Sequence, residues 1–265
     1  MNRIDARFQS LREKKQTAFM PYITAGDPSL SKTGEIVLAL DRAGADIIEL
    51  GVPFSDPVGD GPVIQEAAQR ALARGATLPG ILQSVRRLRE KSQVPILLFS
   101  YFNPLFAYGM KRFAKDAADA GVDGVLCVDL PPEEADEYKT ALDAVGLCTV
   151  FLIAPTTSDA RIEQIAHCCT GFVYYVSRMG VTGERETLAA DLQEALARIH
   201  RHTDKPVAVG FGISTPEQAR KVAGMAEGVV VGSAIVRLIA SIGDVPQLAD
   251  RVQEFAASLA NAIKQ

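Results

Sequence analysis

The segment IIELGVPFSDPVGDGP, Ile47–Pro62, brings carboxylates together in a setting suited to proton transfer. Glu49 sits inside an apolar run that reads as a buried strand, and Asp56 and Asp60 follow in a loop stiffened by Pro53 and Pro57. Glu is almost never fully buried unless something pairs with it or uses it. A carboxyl at the far end of a hydrophobic strand, opening into a Gly/Pro/Asp loop, therefore has the character of an acid–base centre, because perturbed carboxyls concentrate at functional sites. The plainer alternative for Glu49 is a paired structural role. Asp60, ahead of Gly61-Pro62, has the plainer alternative of capping the next helix.

Two late segments look built to hold a phosphate. Gly210-Phe211-Gly212-Ile213-Ser214 and Gly232-Ser233-Ala234-Ile235 each follow an apolar strand-like run. Gly permits close approach of backbone N–H groups, and the run after Gly232 would start a short helix whose N-terminus favours an anion. Between them and the acidic loop lies Ser177–Arg185, long and hinged by Gly180 and Gly183, readable either as a lid that excludes water or as an ordinary loop. Tyr101 and Asp129 end further strand-like runs; Asp129 could also cap a helix after Pro131-Pro132. Tyr174 and Tyr175 alternate, so one of them faces inward.

Other chemistries find little support. No lysine lies in or at the end of a proposed strand, which disfavours a Schiff base. The three histidines, His167, His200 and His202, fall in or after helices, which disfavours a His-ligated metal site.

The elements that must position these groups alternate in type. Strands are expected over 19–24, 46–51, 96–101, 124–129, 148–154, 172–177, 207–211 and 228–232. Helices are expected over 30–43, 63–74, 78–91, 110–120, 133–145, 158–167, 188–201, 216–223 and 246–263, with Thr215 capping the one that opens at Pro216. Continuous apolar strands separated by helices imply parallel pairing with both faces covered. An echo supports repetition: Ala43-Gly44-Ala45-Asp46, Ala120-Gly121-Val122-Asp123 and Ala223-Gly224-Met225-Ala226-Glu227 each close a helix with Gly in a left-handed position and start a strand with an acidic residue. Eight such units in 265 residues predict an α/β fold, a single (β/α)8 TIM barrel domain over 1–265 with phosphate-binding loops after strands seven and eight. Residues 1–14 add an N-terminal helix that closes the barrel bottom. A doubly wound open sheet competes, weakened by the absence of GxGxxG after the first strand.

Composition agrees with a soluble globular protein with a sizeable core. The chain is 48% hydrophobic with a formal charge of −4, and no basic run suggests nucleic acid. The four cysteines, Cys127, Cys148, Cys168 and Cys169, form no redox or metal spacing, which suggests a reducing cytoplasmic setting. The N-terminus lacks a secretory h-region, and no apolar run approaches a membrane span.

With these features in view, the chain resembles the tryptophan synthase alpha subunit family over essentially its whole length. The resemblance is carried by PYITAGDP (Pro21–Pro28), IELGVPFSDPVGDGP (Ile48–Pro62), SRMGVTG (Ser177–Gly183), GFGIST (Gly210–Thr215) and VGSAIV (Val231–Val236). One departure is Val58-Gly59, where the family more often has a bulky apolar residue followed by Ala. The resemblance implies retro-aldol cleavage of indole-3-glycerol phosphate to indole and D-glyceraldehyde 3-phosphate. It assigns Glu49 to proton transfer at indole C3 and the adjacent hydroxyl, Asp60 to the indole N–H, Tyr174 to the substrate hydroxyl, and Thr182 to a lid contact with Asp60. It sets Tyr22, Phe99, Tyr101, Asp129 and Phe211 in or beside the indole pocket, and Gly183, Gly212, Gly232 and Ser233 at the phosphate. It also implies a beta subunit carrying pyridoxal phosphate, with no cofactor in this chain, in an α2β2 assembly through which indole is channelled. Pro53, Asp56 and Pro57 fall in the loop that senses this partner, and Asn103 lies beside the pocket and interface.

Three alternatives remain open at this level. The chain could be a free-standing indole-glycerol-phosphate lyase, another phosphate-binding barrel such as a sugar-phosphate isomerase, or a silent regulatory partner of a beta chain. Intact Glu49, Asp60 and Thr182 disfavour the last.

Overall fold

The structure, a computed structural model, describes residues 1–176, 185–210 and 212–264, with backbone alone over 185–189. Its strands are β1 (Ala18–Thr24), β2 (Ile48–Gly51), β3 (Ile96–Ser100), β4 (Gly124–Cys127), β5 (Cys148–Val150), β6 (Leu152–Ile153), β7 (Val173–Val176), β8 (Val207–Gly210) and β9 (Gly228–Val231). All pair in parallel, in the spatial order β5-β4-β3-β2-β1-β9-β8-β7-β6. The two end members are consecutive pieces of one segment, so the sheet closes on itself with eight strand positions. Phe151 is the break between them: its N–H turns to Cys169 Sγ at 3.3 Å while its carbonyl accepts Tyr174 N–H at 3.2 Å. The segment expected as one strand over 148–154 is therefore divided.

The sequence echo has a structural task. Asp46 accepts the N–H of Phe19 at 2.9 Å, Asp123 that of Ile96 at 2.8 Å, and Glu227 that of Val207 at 2.9 Å. In each case an acidic residue just ahead of one strand satisfies a donor at the start of the preceding strand, where the ladder has no carbonyl to offer. Gly44 (φ +96°) and Gly121 (φ +90°) are left-handed as expected. Gly224 is not: at φ −71° it stays helical, because its N–H still bonds the Arg220 carbonyl.

The N-terminal helix Arg3–Lys14 lies across the barrel bottom. Ile4, Phe8 and Leu11 join the interior cluster of Ala18, Met20, Ile47, Leu97, Leu126 and Phe172. Each such side chain contributes ~2 kcal/mol by leaving water. Arg3 pairs with Asp123 at 2.8 Å and Arg7 with Asp46 at 3.6 Å. Asp123, 2% exposed, also takes Arg89 at 2.7 Å. Asp123→Ala would strand a mostly buried guanidinium and an unbonded strand N–H, so we expect a loss of about 3–5 kcal/mol. Urea titration measures it; an undiminished midpoint would refute the anchoring role, and activity per folded molecule should be unchanged.

A second, larger cluster fills the layer between barrel and helices. The helices outside the barrel are Leu30–Arg42, Pro62–Ala73, Leu78–Leu88, Met110–Ala120, Asp136–Asp143, Asp159–Cys168, Arg185–His200, Pro216–Ala223, Ser233–Ile242 and Leu248–Lys264, and all but Pro62–Ala73, which packs with Tyr22 and Val236, contribute to this cluster. Two differ from expectation. The region expected as one helix over 133–145 opens as a 3-10 turn, Pro132–Glu134, before its α-helix. A short helix, Phe102–Tyr108, follows β3 where no helix was expected. Among the described residues no helix is long and apolar enough to cross a membrane.

Candidate active site

Side chains alternate along each strand, and that alternation selects the inward set. Residues 18, 20 and 22 of β1 face the interior, and the register of β1 on β2 sets Tyr22 beside Glu49. On β7 the same rule sends Phe172 and Tyr174 inward and Val173 and Tyr175 into the outer layer, which resolves the choice between the two tyrosines. Glycine clears the space both inward tyrosines need. A Cβ on Gly51 would lie 2.1 Å from the Tyr22 hydroxyl, and one on Gly210 would lie 2.3 Å from that of Tyr174. Glycine inside a strand is the sequence mark of such an approach.

Glu49 is fully buried, and neither carboxyl oxygen has a hydrogen-bond partner among the described residues. Burial alone raises its pKa from 4.5 to about 8, so the carboxyl is mostly protonated at neutral pH. Among the described residues the carboxyl is in no ion pair, which weighs against the paired structural alternative.

Asp60 is half-buried and its side chain caps no helix: the N-cap of Pro62–Ala73 is Gly61, without a side-chain bond. Its pKa is raised to about 6 by burial, with the Tyr101 hydroxyl acting in the opposite direction. The loop that carries it is held from β3, since Gly59 N–H donates to the Tyr101 hydroxyl at 2.9 Å. Gly59 is the position at which this chain departs from the usual Ala, and an added Cβ would stand 3.2 Å from that hydroxyl.

The groups share one space. Ionisation of Tyr22 is opposed by burial and by the charges of Asp60 and Glu49; that of Tyr174 by burial and by Glu49. Phe99 meets Tyr22 edge-on at 5.4 Å between ring centres, and Phe54 lies 5.3 Å from Tyr101. The charge of Asp129, like that of Asp60, opposes ionisation of Tyr101. Asp129 is exposed, and its Oδ1 accepts Phe102 N–H at 2.7 Å. The expected capping of the helix after Pro131-Pro132 is not found, since neither the 3-10 turn nor the α-helix Asp136–Asp143 has a side-chain cap; Asp129 instead holds the first N–H of the helix after β3.

The two glycine loops follow β8 and β9, the seventh and eighth barrel positions. Gly212 is left-handed at φ +75°, and Ser214 N–H is fixed by Gln218 at 2.8 Å within the capping box at Thr215. Ser233 opens the helix Ser233–Ile242 behind Gly232, so its N–H has no carbonyl one turn back to bond. Thr182, Gly183 and Phe211 lie outside the described residues, as does the loop 177–184. At the partner loop Asp56 is exposed, Pro57 half-buried and Pro53 buried. Val58 there is 88% exposed, and nearby on the helix after β3 Asn103 is exposed and Phe106 is 62% exposed. Among the described residues no three His, Cys, Asp or Glu side chains gather as a metal would require.

A closed parallel barrel with two carboxyls of raised pKa that both act on Tyr22, and with glycine loops after its seventh and eighth strand positions, is a (β/α)8 architecture suited to acid–base chemistry on an anionic substrate. The profile of the Tryptophan synthase alpha chain family matches residues 8–264. The tryptophan synthase alpha chain of Citrifermentans bemidjiense is 58% identical over 237 residues, 89% of each chain. The crystal structure of the alpha subunit from Legionella pneumophila superposes with a TM-score of 0.90 at 38% identity, covering 99% of this chain and 98% of that one. A structure of Mycobacterium tuberculosis tryptophan synthase gives 0.90 at 34% identity, covering 100% and 99%. The chain belongs to the tryptophan synthase alpha chain family. It is a carbon–carbon lyase of tryptophan biosynthesis that cleaves indole-3-glycerol phosphate, in a family whose members work with a beta subunit.

Proposed function

We propose that Glu49 performs both proton transfers of the cleavage, and the observation that carries this is its buried, unpartnered carboxyl. The protonated group gives its proton to indole C3, which leaves positive charge on the ring nitrogen. The carboxylate so formed takes the proton of the neighbouring substrate hydroxyl. The O–H electrons become the aldehyde C=O, the carbon–carbon bond breaks, and its electrons restore the indole ring. Glu49 ends protonated, as it began. Asp60 accepts the indole N–H and stabilises charge where it develops. Tyr174 assists at the hydroxyl, and Tyr22, Phe99 and Tyr101 shape the indole pocket with Phe211, while Asp129 supports the pocket wall through the helix it caps. Gly183, Gly212, Gly232 and Ser233 grip the phosphate, and Thr182 meets Asp60 on lid closure.

The partner is a beta subunit in an α2β2 assembly, holding the pyridoxal phosphate that this chain does not need. The exposed tip at Asp56 and Val58, with Asn103 and Phe106 beside it, supports a docking role for the loop that Pro53 and Pro57 stiffen. Free thiols at all four cysteines accord with a reducing cytoplasm.

The test is indole release from indole-3-glycerol phosphate, followed against pH with and without a related beta chain. Asp60 must be ionised, so kcat/KM rises as pH passes about 6; Glu49 must be protonated, so it falls as pH passes about 8. Acceleration on adding the beta chain supports the assembly. No release from folded protein would exclude these roles, and a profile without the alkaline limb would exclude Glu49 as the acid.

A further inference from the structure

We infer that Gln65 is a positioning residue for the cleavage: its side-chain amide clamps both ends of the Pro57–Asp60 turn and so fixes where the Asp60 carboxylate stands. Asp60 N–H donates to the Pro57 carbonyl at 3.0 Å, which closes a four-residue turn. The Gln65 amide nitrogen then donates to the Asp60 carbonyl at 2.8 Å and to the Pro57 carbonyl at 3.3 Å. An amide NH2 has two donors, and both are spent on the two ends of one turn. Tyr101 holds the turn a third way, through Gly59. No strand or helix fixes these backbone groups; side chains do.

The clamp is itself anchored. Gln65 stands in the first turns of the helix Pro62–Ala73, and Arg70 of that helix makes a two-pronged pair with the buried Asp27, at 3.0 and 2.7 Å. Gly26, beside Asp27 at φ +93°, lies flat on the same region: a Cβ there would fall 2.5 Å from that of Ala76 and 3.2 Å from that of Ala71. The loop after β1 therefore fixes the helix, the helix fixes Gln65, and Gln65 fixes the turn. The Asp56–Pro57 end of the turn moves with Asp60, because one amide holds both.

This role rests on the proposed role of Asp60, and the experiment separates the two. Gln65→Met keeps length and loses both donors, and is measured in the full chain, alone and with the beta subunit, in an Asp60 and an Asp60→Asn background. A misplaced reacting group costs roughly 10²-fold, so we expect kcat to fall by that factor with KM and Tm little changed. In the Asp60→Asn background the same change should cost less than about threefold, since the group it positions is gone. Equal losses in both backgrounds, or a full kcat, would overturn the clamp. Gln65→Glu gives an independent reading should Gln65→Met fail to fold. Its rate relative to the unsubstituted chain should recover as pH falls, because the protonated carboxyl regains one donor; a deficit constant with pH would overturn the proposal. An Asp60→Asn variant at full rate would remove the role of Asp60, and the clamp's purpose with it.

Discussion

Glu49→Gln is expected to lower indole release by about 10⁴-fold, at the upper end of what general acid–base groups contribute, because in the proposed mechanism one carboxyl serves both proton transfers. Gln has the shape of Glu and fills the same space among Tyr22, Phe99 and Tyr174, so the barrel should persist. Stability then reports the ionisation directly. The pKa of Glu49 rises from 4.5 to about 8 on folding, so between those values the folded chain keeps a proton that the unfolded chain releases. Its contribution to stability is therefore complete below the lower value, declines as pH rises, and is lost above about 8, a span on the order of 5 kcal/mol. Gln does not titrate. The variant should gain on the parent chain steadily from pH 5 to pH 8 in denaturant titrations, where contributions of other groups cancel. A stability difference that does not change with pH would show that Glu49 ionises normally, and cleavage within tenfold of the parent rate would remove it from the mechanism.

Asp60→Asn is the second large effect, with an expected loss of about 10²–10³-fold in kcat, the usual cost of removing one preorganised electrostatic group. Asn can still accept the indole N–H, so KM should change little. What it lacks is charge, and charge matters only once C3 is protonated and the nitrogen becomes cationic. The acid limb of the pH profile, set by the Asp60 pKa of about 6, should disappear in this variant while the limb near 8 remains. Steady-state kinetics across this range decides it. A loss under tenfold, with the acid limb intact, would mean that another group titrates there and that Asp60 only binds.

These two carboxyls differ in how far they can be read without a structure. Glu49 is conspicuous because its neighbours in the chain are apolar, and a buried strand is a local pattern. Asp60 carries two local meanings, cap or ligand, and the choice depends on Gly61 taking the cap position, which composition does not dictate. Asp129 likewise caps a helix, but one that follows the neighbouring strand in space, some 27 positions earlier in the chain. That helix, Phe102–Tyr108, was hidden by Asn103-Pro104, a pair that locally signals a turn. The break at Phe151 was equally invisible, since every residue from Cys148 to Ile153 suits a strand.

The acidic echo at Asp46, Asp123 and Glu227 was legible as a repeat, but its purpose was not. Each carboxyl serves the strand before its own, which only parallel neighbours make visible. Gln65 left no signal at all: a polar residue in the first turns of a helix is ordinary until its amide is seen on two carbonyls.

By itself, then, the sequence determined the alternation of strands and helices, the barrel class, the buried carboxyl, and the family motifs. Each is written in periodicity or in contiguous residue type. The tertiary structure alone decided which tyrosine of β7 faces inward, which glycines make room for hydroxyls, that the Asp60 side chain caps no helix, and what holds the loop beneath it. Those depend on strand register and on contacts between segments far apart in the chain, and such distances are set by the closing of the barrel as a whole.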